Sequence, residues 1–158
     1  MKLESREDIE APLSVVFQAV SDFPAFERLA FRRGIDVGVE TGDPEKGEPE
    51  RSWDAKFNYR GRDRRLKAAL VRIDPAQGYL VNGAVGGLEG DMIIDLVPLS
   101  RTRTRLTVCV DTRAKSLTAR LLLQTAKLTR AKIYRRFRRR VGQVAQDIED
   151  RYNAMSPS

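Results

Sequence analysis

Trp53, Phe57 and Tyr59 share one face of an alternating segment and offer the first candidate chemistry in the chain: rings with polar tips on an otherwise apolar wall. Such a wall suits a pocket in which a few fixed polar groups orient an apolar ligand, and it suits ordinary core equally well. Tyr59 and, further on, Tyr79 carry hydroxyls able to donate to a ligand carbonyl. Met92, Ile94, Leu106 and Val108 extend the same candidate wall, with Leu122 and Ile133 expected to close it from the helix side.

Acid–base chemistry has few carriers. The chain has no histidine, which removes His-based triads, His general bases and His metal ligands. Glu7 falls on the apolar side of the first strand, where a desolvated carboxylate is a candidate acid or base; the alternative is a place near the strand end or beside an arginine. Asn82 and Asp95 are polar candidates whose faces the pattern does not assign. An enzyme here would have to use carboxylates, tyrosine, lysine or a polarising arginine, and no catalytic residue is assigned. The lone Cys109 excludes an intramolecular disulfide and fits a reducing cytoplasm. It alternates away from the apolar face, and one cysteine without histidine argues against zinc. No metal and no cofactor are expected. Gly83, Gly86, Gly87 and Gly90 lie in or beside strands rather than before a helix, so they form no phosphate loop.

The formal net charge of +7 is unevenly spread: residues 1–50 hold 12 acids and 6 bases, the rest 10 acids and 23 bases. Lys127, Arg130, Lys132, Arg135, Arg136, Arg138, Arg139 and Arg140 crowd one segment, and no acid occurs between Lys115 and Gln146. Arg135, Arg136, Arg138, Arg139 and Arg140 form a candidate basic surface. It reads as a solvated face paired with the acidic first third, as a peripheral contact with anionic membrane, or as a site for phosphates or an acidic partner. Tyr134 and Phe137 are the only aromatics interleaved there and no reading motif is present, which counts against nucleic acid. Arg130 or Arg140, beside the apolar stripe, could instead reach a ligand carboxylate.

The elements that must position these groups are legible from periodicity. Ser116 to about Ala154 contains no proline, and Leu122, Ala126, Thr129, Ile133, Phe137, Val141, Val144, Ile148 and Tyr152 recur at steps of three and four. That predicts one long helix, about 55 Å at 1.5 Å per residue, whose stripe needs a large apolar partner. Lys2 to Ala11 alternates as a half-buried strand. Two short helices follow, one after Pro12 with Val15, Val16, Ala19 and Val20, one after Ser21-Asp22-Phe23-Pro24 with Phe26, Leu29 and Ala30; Asp22 or Ser21 is the expected cap. Strands are expected over 35–41, 52–59, 66–73, 79–85, 88–97 and 102–111, joined mostly by hairpins, with faces unassigned around Ala68-Ala69. Gly42 to Pro49 is the expected flexible loop. Hairpins imply an antiparallel sheet with one face free to pack on helices, an α+β arrangement. Residues 1–154 are expected to form one domain and 155–158 a disordered tail. Met1–Glu10 is too charged for a signal peptide, and no run of about 18 apolar residues exists to span a membrane.

The opening stretch, Ser5-Arg6-Glu7-Asp8-Ile9-Glu10-Ala11-Pro12 followed by Val15-Val16-Phe17-Gln18-Ala19-Val20-Ser21-Asp22-Phe23-Pro24 with Phe26, resembles the START/polyketide-cyclase/SRPBCC superfamily, and the element order resembles it over nearly the whole chain. The resemblance implies the helix-grip fold: a curved antiparallel sheet of about seven strands wrapped on a long C-terminal helix, two short helices after strand 1, and an apolar cavity between sheet and helix. It implies binding of a hydrophobic or amphipathic small molecule such as a lipid, a quinone or a polyketide-like compound. The alternatives are a cyclase or dehydratase, which would need a carboxylate or tyrosine in the cavity, and a scaffold that docks to membrane or an acidic partner through the basic helix. The superfamily has no shared catalytic set to carry over. A lid from the second short helix or from the Gly42–Pro49 loop is expected to gate the cavity.

Overall fold

A computed structural model describes residues 1–155. The chain runs β1 (Lys2–Ile9), α1 (Leu13–Val20), α2 (Phe23–Arg32), β2 (Asp36–Thr41), a short 3-10 turn (Pro44–Lys46), β3 (Arg51–Tyr59), β4 (Arg62–Asp74), β5 (Gly78–Val85), β6 (Leu88–Ser100), β7 (Arg103–Ala114), α3 (Leu117–Leu128) and α4 (Arg130–Met155). Residues 156–158, the remainder of the expected tail, lie outside the described residues. The seven strands form one antiparallel sheet in the order β1-β7-β6-β5-β4-β3-β2, so the only non-sequential pairing joins the first strand to the last. No helix of the described residues is long and apolar enough to cross a membrane.

Local signals set the boundaries. Asp22 caps α2, accepting from the Ala25 amide, and Pro24 sits in the first turn, where no amide hydrogen is missed. The β3–β4 hairpin turns on Arg60 and Gly61, both at positive φ, the pair a tight two-residue turn requires. β4 slips register between Leu70 and Arg72. That bulge resolves the broken alternation of this strand: Leu66, Ala68 and Leu70 face inward before it, Ile73 after it, and Val71 turns out to solvent.

The expected single C-terminal helix is two. Thr129 closes α3 with non-helical angles; its amide reaches back to the Ala126 and Lys127 carbonyls and its hydroxyl donates to Ala126. A β-branched residue that satisfies the backbone through its own side chain is a natural break point. Only α4 carries the stripe that the sheet grips. Val141, Ala145 and Ile148 are buried, and they join Ile9, Val16, Leu70, Leu96 and Leu106 in one core. Ile9, Val16, Leu106 and Ile148 are essentially inaccessible, each contributing about 1.5–3 kcal/mol by burial. α4 runs along β1, and Gly142 marks a close approach: a Cβ there would lie 3.4 Å from Glu7 Oε1.

Candidate functional site

Between the concave face of the sheet and α4 lies a cavity of about 400 Å³. The strands present their inward-facing residues to it in register. Tyr79 on β5 stands opposite Ile94 on β6, which stands opposite Val108 on β7; beside that row, Val81 faces Met92. Leu106 and, from β3, Trp53 complete the sheet wall. α4 contributes Phe137, Arg140, Val141 and Val144, at steps of three and four, and α1 and α2 contribute Val20, Phe23 and Phe26. Among the described residues lining this space there is no carboxylate, and Arg140 is the one charged group.

Six of the expected wall residues therefore meet here: Trp53, Tyr79, Met92, Ile94, Leu106 and Val108. Phe57, Tyr59, Leu122 and Ile133 do not line the cavity. Phe57 lies four residues beyond Trp53, about 13 Å along the strand, and sits half-buried in a shallow polar depression with Lys56, Asn58 and Arg64. Tyr59 is at the hairpin, 54% exposed, with the Arg60 guanidinium over its ring at 5.4 Å. Leu122 is exposed on α3, which supplies no residue to the cavity, and Ile133 is half-buried on the first turn of α4. Val20 and Phe137 were legible as members of helix stripes and Val81 as part of an expected strand, whereas Phe23 read only as part of the turn before the second helix; periodicity alone does not tell a filled core from a hollow one.

The polar groups divide sharply. The Tyr79 hydroxyl donates to the Val20 carbonyl at 2.6 Å, and burial raises its pKa well above that of a free phenol. It therefore stays protonated and committed to the backbone. Glu7 sits beneath α4 at Gly142, outside the lining. Asn82 donates to Asp91 at 2.7 Å, and Arg113 reaches the same carboxylate at 3.0 Å. These two bonds, Asn82 first, hold Asp91 below the usual carboxylate range. Asp95 is exposed. The Cys109 thiol is buried and its pKa pushed up by that burial, the wrong direction for a nucleophile. Among the described residues no three His, Cys, Asp or Glu side chains converge as metal ligands would.

One side of the cavity is an aromatic cluster. Phe23 of α2 meets Trp53 edge-on at 5.4 Å and Tyr79 at 5.2 Å. One turn on, Glu27 accepts from Arg51 through two nitrogens, at 2.7 and 2.6 Å, and from the Trp53 indole at 2.7 Å. The Arg51 hydrogen bonds, then the Trp53 indole, hold the Glu27 carboxyl below its ordinary range against the cost of its burial. α2 is thus the element latched over the cavity, with Phe26 at the rim, whereas the Gly42–Pro49 loop contributes nothing to the lining.

The basic face keeps its charge. Ion pairs among the described residues join Glu27, Asp54, Asp8, Glu10, Asp91 and Glu89 to bases on β3, β4 and β7 or just after it; none involves α3 or α4. Arg135, Arg136, Arg138 and Arg139 are exposed, and Arg130 and Arg138 stack on Tyr134 at 5.8 and 5.7 Å. Of the acids in the first third, Asp8, Glu10 and Glu27 pair with bases of the sheet, and no ion pair among the described residues reaches the bases of the helix.

No family model matches the sequence, and no curated protein matches it. Solved structures do match over essentially the whole chain. The Zhui aromatase/cyclase from Streptomyces sp. R1128 superposes with a TM-score of 0.65 at 13% identity, covering 100% of this chain and 99% of that one. Norcoclaurine synthase from Thalictrum flavum, in complex with dopamine and hydroxybenzaldehyde, gives 0.63 at 13% identity, covering 100% and 88%. Ara h 8.0201 gives 0.58 at 15% identity, covering 99% of each chain. The architecture they share with this chain is a curved seven-stranded antiparallel sheet gripping a long C-terminal helix, with short helices after the first strand.

Proposed function

We propose, from the helix-grip fold that this chain shares with those structures, that it binds a hydrophobic small molecule with an acidic end, taken up between sheet and α4. The observation that carries this is the cavity itself: apolar side chains from sheet and helices surround about 400 Å³, with the Arg140 guanidinium alone able to meet a charge. Such a site removes a ligand's apolar body from water, at about 25 cal/mol per Å² buried, and leaves its carboxylate or phosphate at a cation near the surface. The known structures bracket the choices: norcoclaurine synthase holds dopamine and hydroxybenzaldehyde, and Zhui is an aromatase/cyclase. Turnover of the cyclase type would need an acid or base in the lining. The tyrosine there is committed to Val20 and no carboxylate is present, which favours binding over catalysis. The open cavity likewise favours ligand binding over a scaffold with a collapsed interior.

The test uses the lone Trp53 as reporter and a matched pair of probes, a medium-chain fatty acid and its methyl ester. The acid is expected to change Trp53 fluorescence saturably and to bind about tenfold or more tightly than the ester. Arg140→Gln should erase that preference while leaving ester affinity unchanged. Val144→Trp, at a half-exposed position on the rim, should block both probes with the fold intact. Equal acid and ester affinity in the wild type overturns the role of Arg140; binding undiminished in Val144→Trp overturns the site.

A further inference from the structure

α3 is apolar on two opposite sides. Ala119, Leu123 and Ala126 turn toward the body of the protein, against β7, α4 and the β5–β6 turn at Gly87. Leu117, Leu121 and Leu128 fall within about 40° of one another on the far side, nearly half a turn away. They are 73%, 57% and 86% exposed; Leu122, roughly a quarter to a third of a turn from them, is exposed as well. An amphipathic helix buries one stripe, so a second apolar stripe on its outer side calls for a cover of its own, and leucines grouped this way are not the scattered apolar residues of an ordinary surface. Arg120 and Lys127 lie together along one side of the leucine stripe, and the arginines of α4 follow directly, none of them engaged in an ion pair among the described residues.

We propose that α3 docks this protein on an anionic lipid surface, its leucines entering the boundary between headgroups and acyl chains while Arg120, Lys127 and the bases of α4 meet the headgroups. Charge selects this occupant. A second copy of the chain seated on the same stripe would bring two acid-free basic segments face to face, at a Coulombic cost the apolar contact would have to overcome. A nucleic acid would use the bases and leave the leucines uncovered. A bilayer rich in anionic lipid satisfies both features at once, and it places the helix preceding α4 against a source of hydrophobic molecules. The docking does not depend on what the cavity holds.

Vesicle co-sedimentation of the full chain tests it, with phosphatidylcholine vesicles compared with vesicles containing about 30% phosphatidylglycerol. Binding is expected to the second and not the first, and to fall steeply as salt rises from about 50 to about 500 mM. The triple substitution Leu117→Ser, Leu121→Ser, Leu128→Ser, on exposed positions and with its circular dichroism verified, should lower vesicle affinity by about tenfold or more. Arg120→Gln with Lys127→Gln should lower it in low salt and flatten the salt dependence. Val144→Trp should leave vesicle binding unchanged, so that failure of the cavity reading and failure of this one are separable. Absence of binding to anionic vesicles, retained binding by the leucine variant, or a change from dimer to monomer in that variant on analytical ultracentrifugation would each overturn the proposal.

Discussion

The Tyr79 hydroxyl lies 2.6 Å from the Val20 carbonyl, with its ring against Phe23, and in a site of this kind a tyrosine invites a role in orienting ligand. Its single proton cannot serve both partners. The carbonyl belongs to the last residue of α1, one of the terminal acceptors that a helix leaves unsatisfied, so the bond closes a structural need. Tyr79→Phe is therefore expected to lower the free energy of unfolding by about 1–3 kcal/mol, the range for a buried acceptor left unmatched. Affinity for the fatty-acid probe should stay within about threefold, since the apolar wall is unchanged. Urea denaturation and Trp53 titration on the same preparation check both. A large loss of affinity without loss of stability would return Tyr79 to the binding machinery. The sequence supplied the residue and its inward face; its hydrogen-bond partner, 59 positions away, is a product of packing.

At the scale of elements, α2 is the part best placed to open. It has no fully buried residue, and it is held by the Phe23 edge contacts and by Glu27 on Arg51 and Trp53. The Glu27 carboxyl sits below its ordinary range in the folded state, so the tether is complete above the range of a free glutamate and is lost as pH falls through the lowered folded value. Amide exchange in α2, corrected for its intrinsic pH dependence, should accordingly rise as pH falls below the range of a free glutamate. Glu27→Gln should give raised exchange at neutral pH, faster ligand association and dissociation, and no acid transition in α2. Acid loosening that persists unchanged in Glu27→Gln would place the titrating group elsewhere. Elements of this kind were legible where one residue type carries one signal: Asp22 and Pro24 start α2, and alternation gives β1 and β3 their faces. The division of the last helix was not, because Leu122, Ala126 and Thr129 continue the stripe of α4 in period, and the break depends on Thr129 turning its own hydroxyl to the backbone. For the same reason Leu122 and Ile133 were drawn into the expected wall, whereas Phe137, Val141 and Val144 form it.

The whole molecule is closed by pairing its first strand with its last: Lys2 to Ile9 lie in register with Asp111 to Thr104, about a hundred residues away in sequence. α4 packs along that same edge, and the core beneath it draws on β1, α1, β4, β6, β7 and α4 together. Among the described residues the buried apolar side chains of these elements form one cluster, so the chain is expected to unfold as one cooperative unit. So many distant pairings also argue for slow folding, in the millisecond-to-second range typical of sheets closed by their ends. Trp53 sits on the cavity wall and is the only tryptophan, so its fluorescence reports the site, while far-ultraviolet circular dichroism is dominated by α3 and α4. The two transitions in urea are expected to coincide. A fatty-acid ligand present at about a hundred times its Kd should stabilise by about 2.7 kcal/mol and shift both midpoints together, because the sheet and α4 both supply parts of the cavity's wall. Were the dichroism transition to come first, with only the fluorescence midpoint responding to ligand, α3 and α4 would be a separately stable unit and the cavity would belong to the sheet alone.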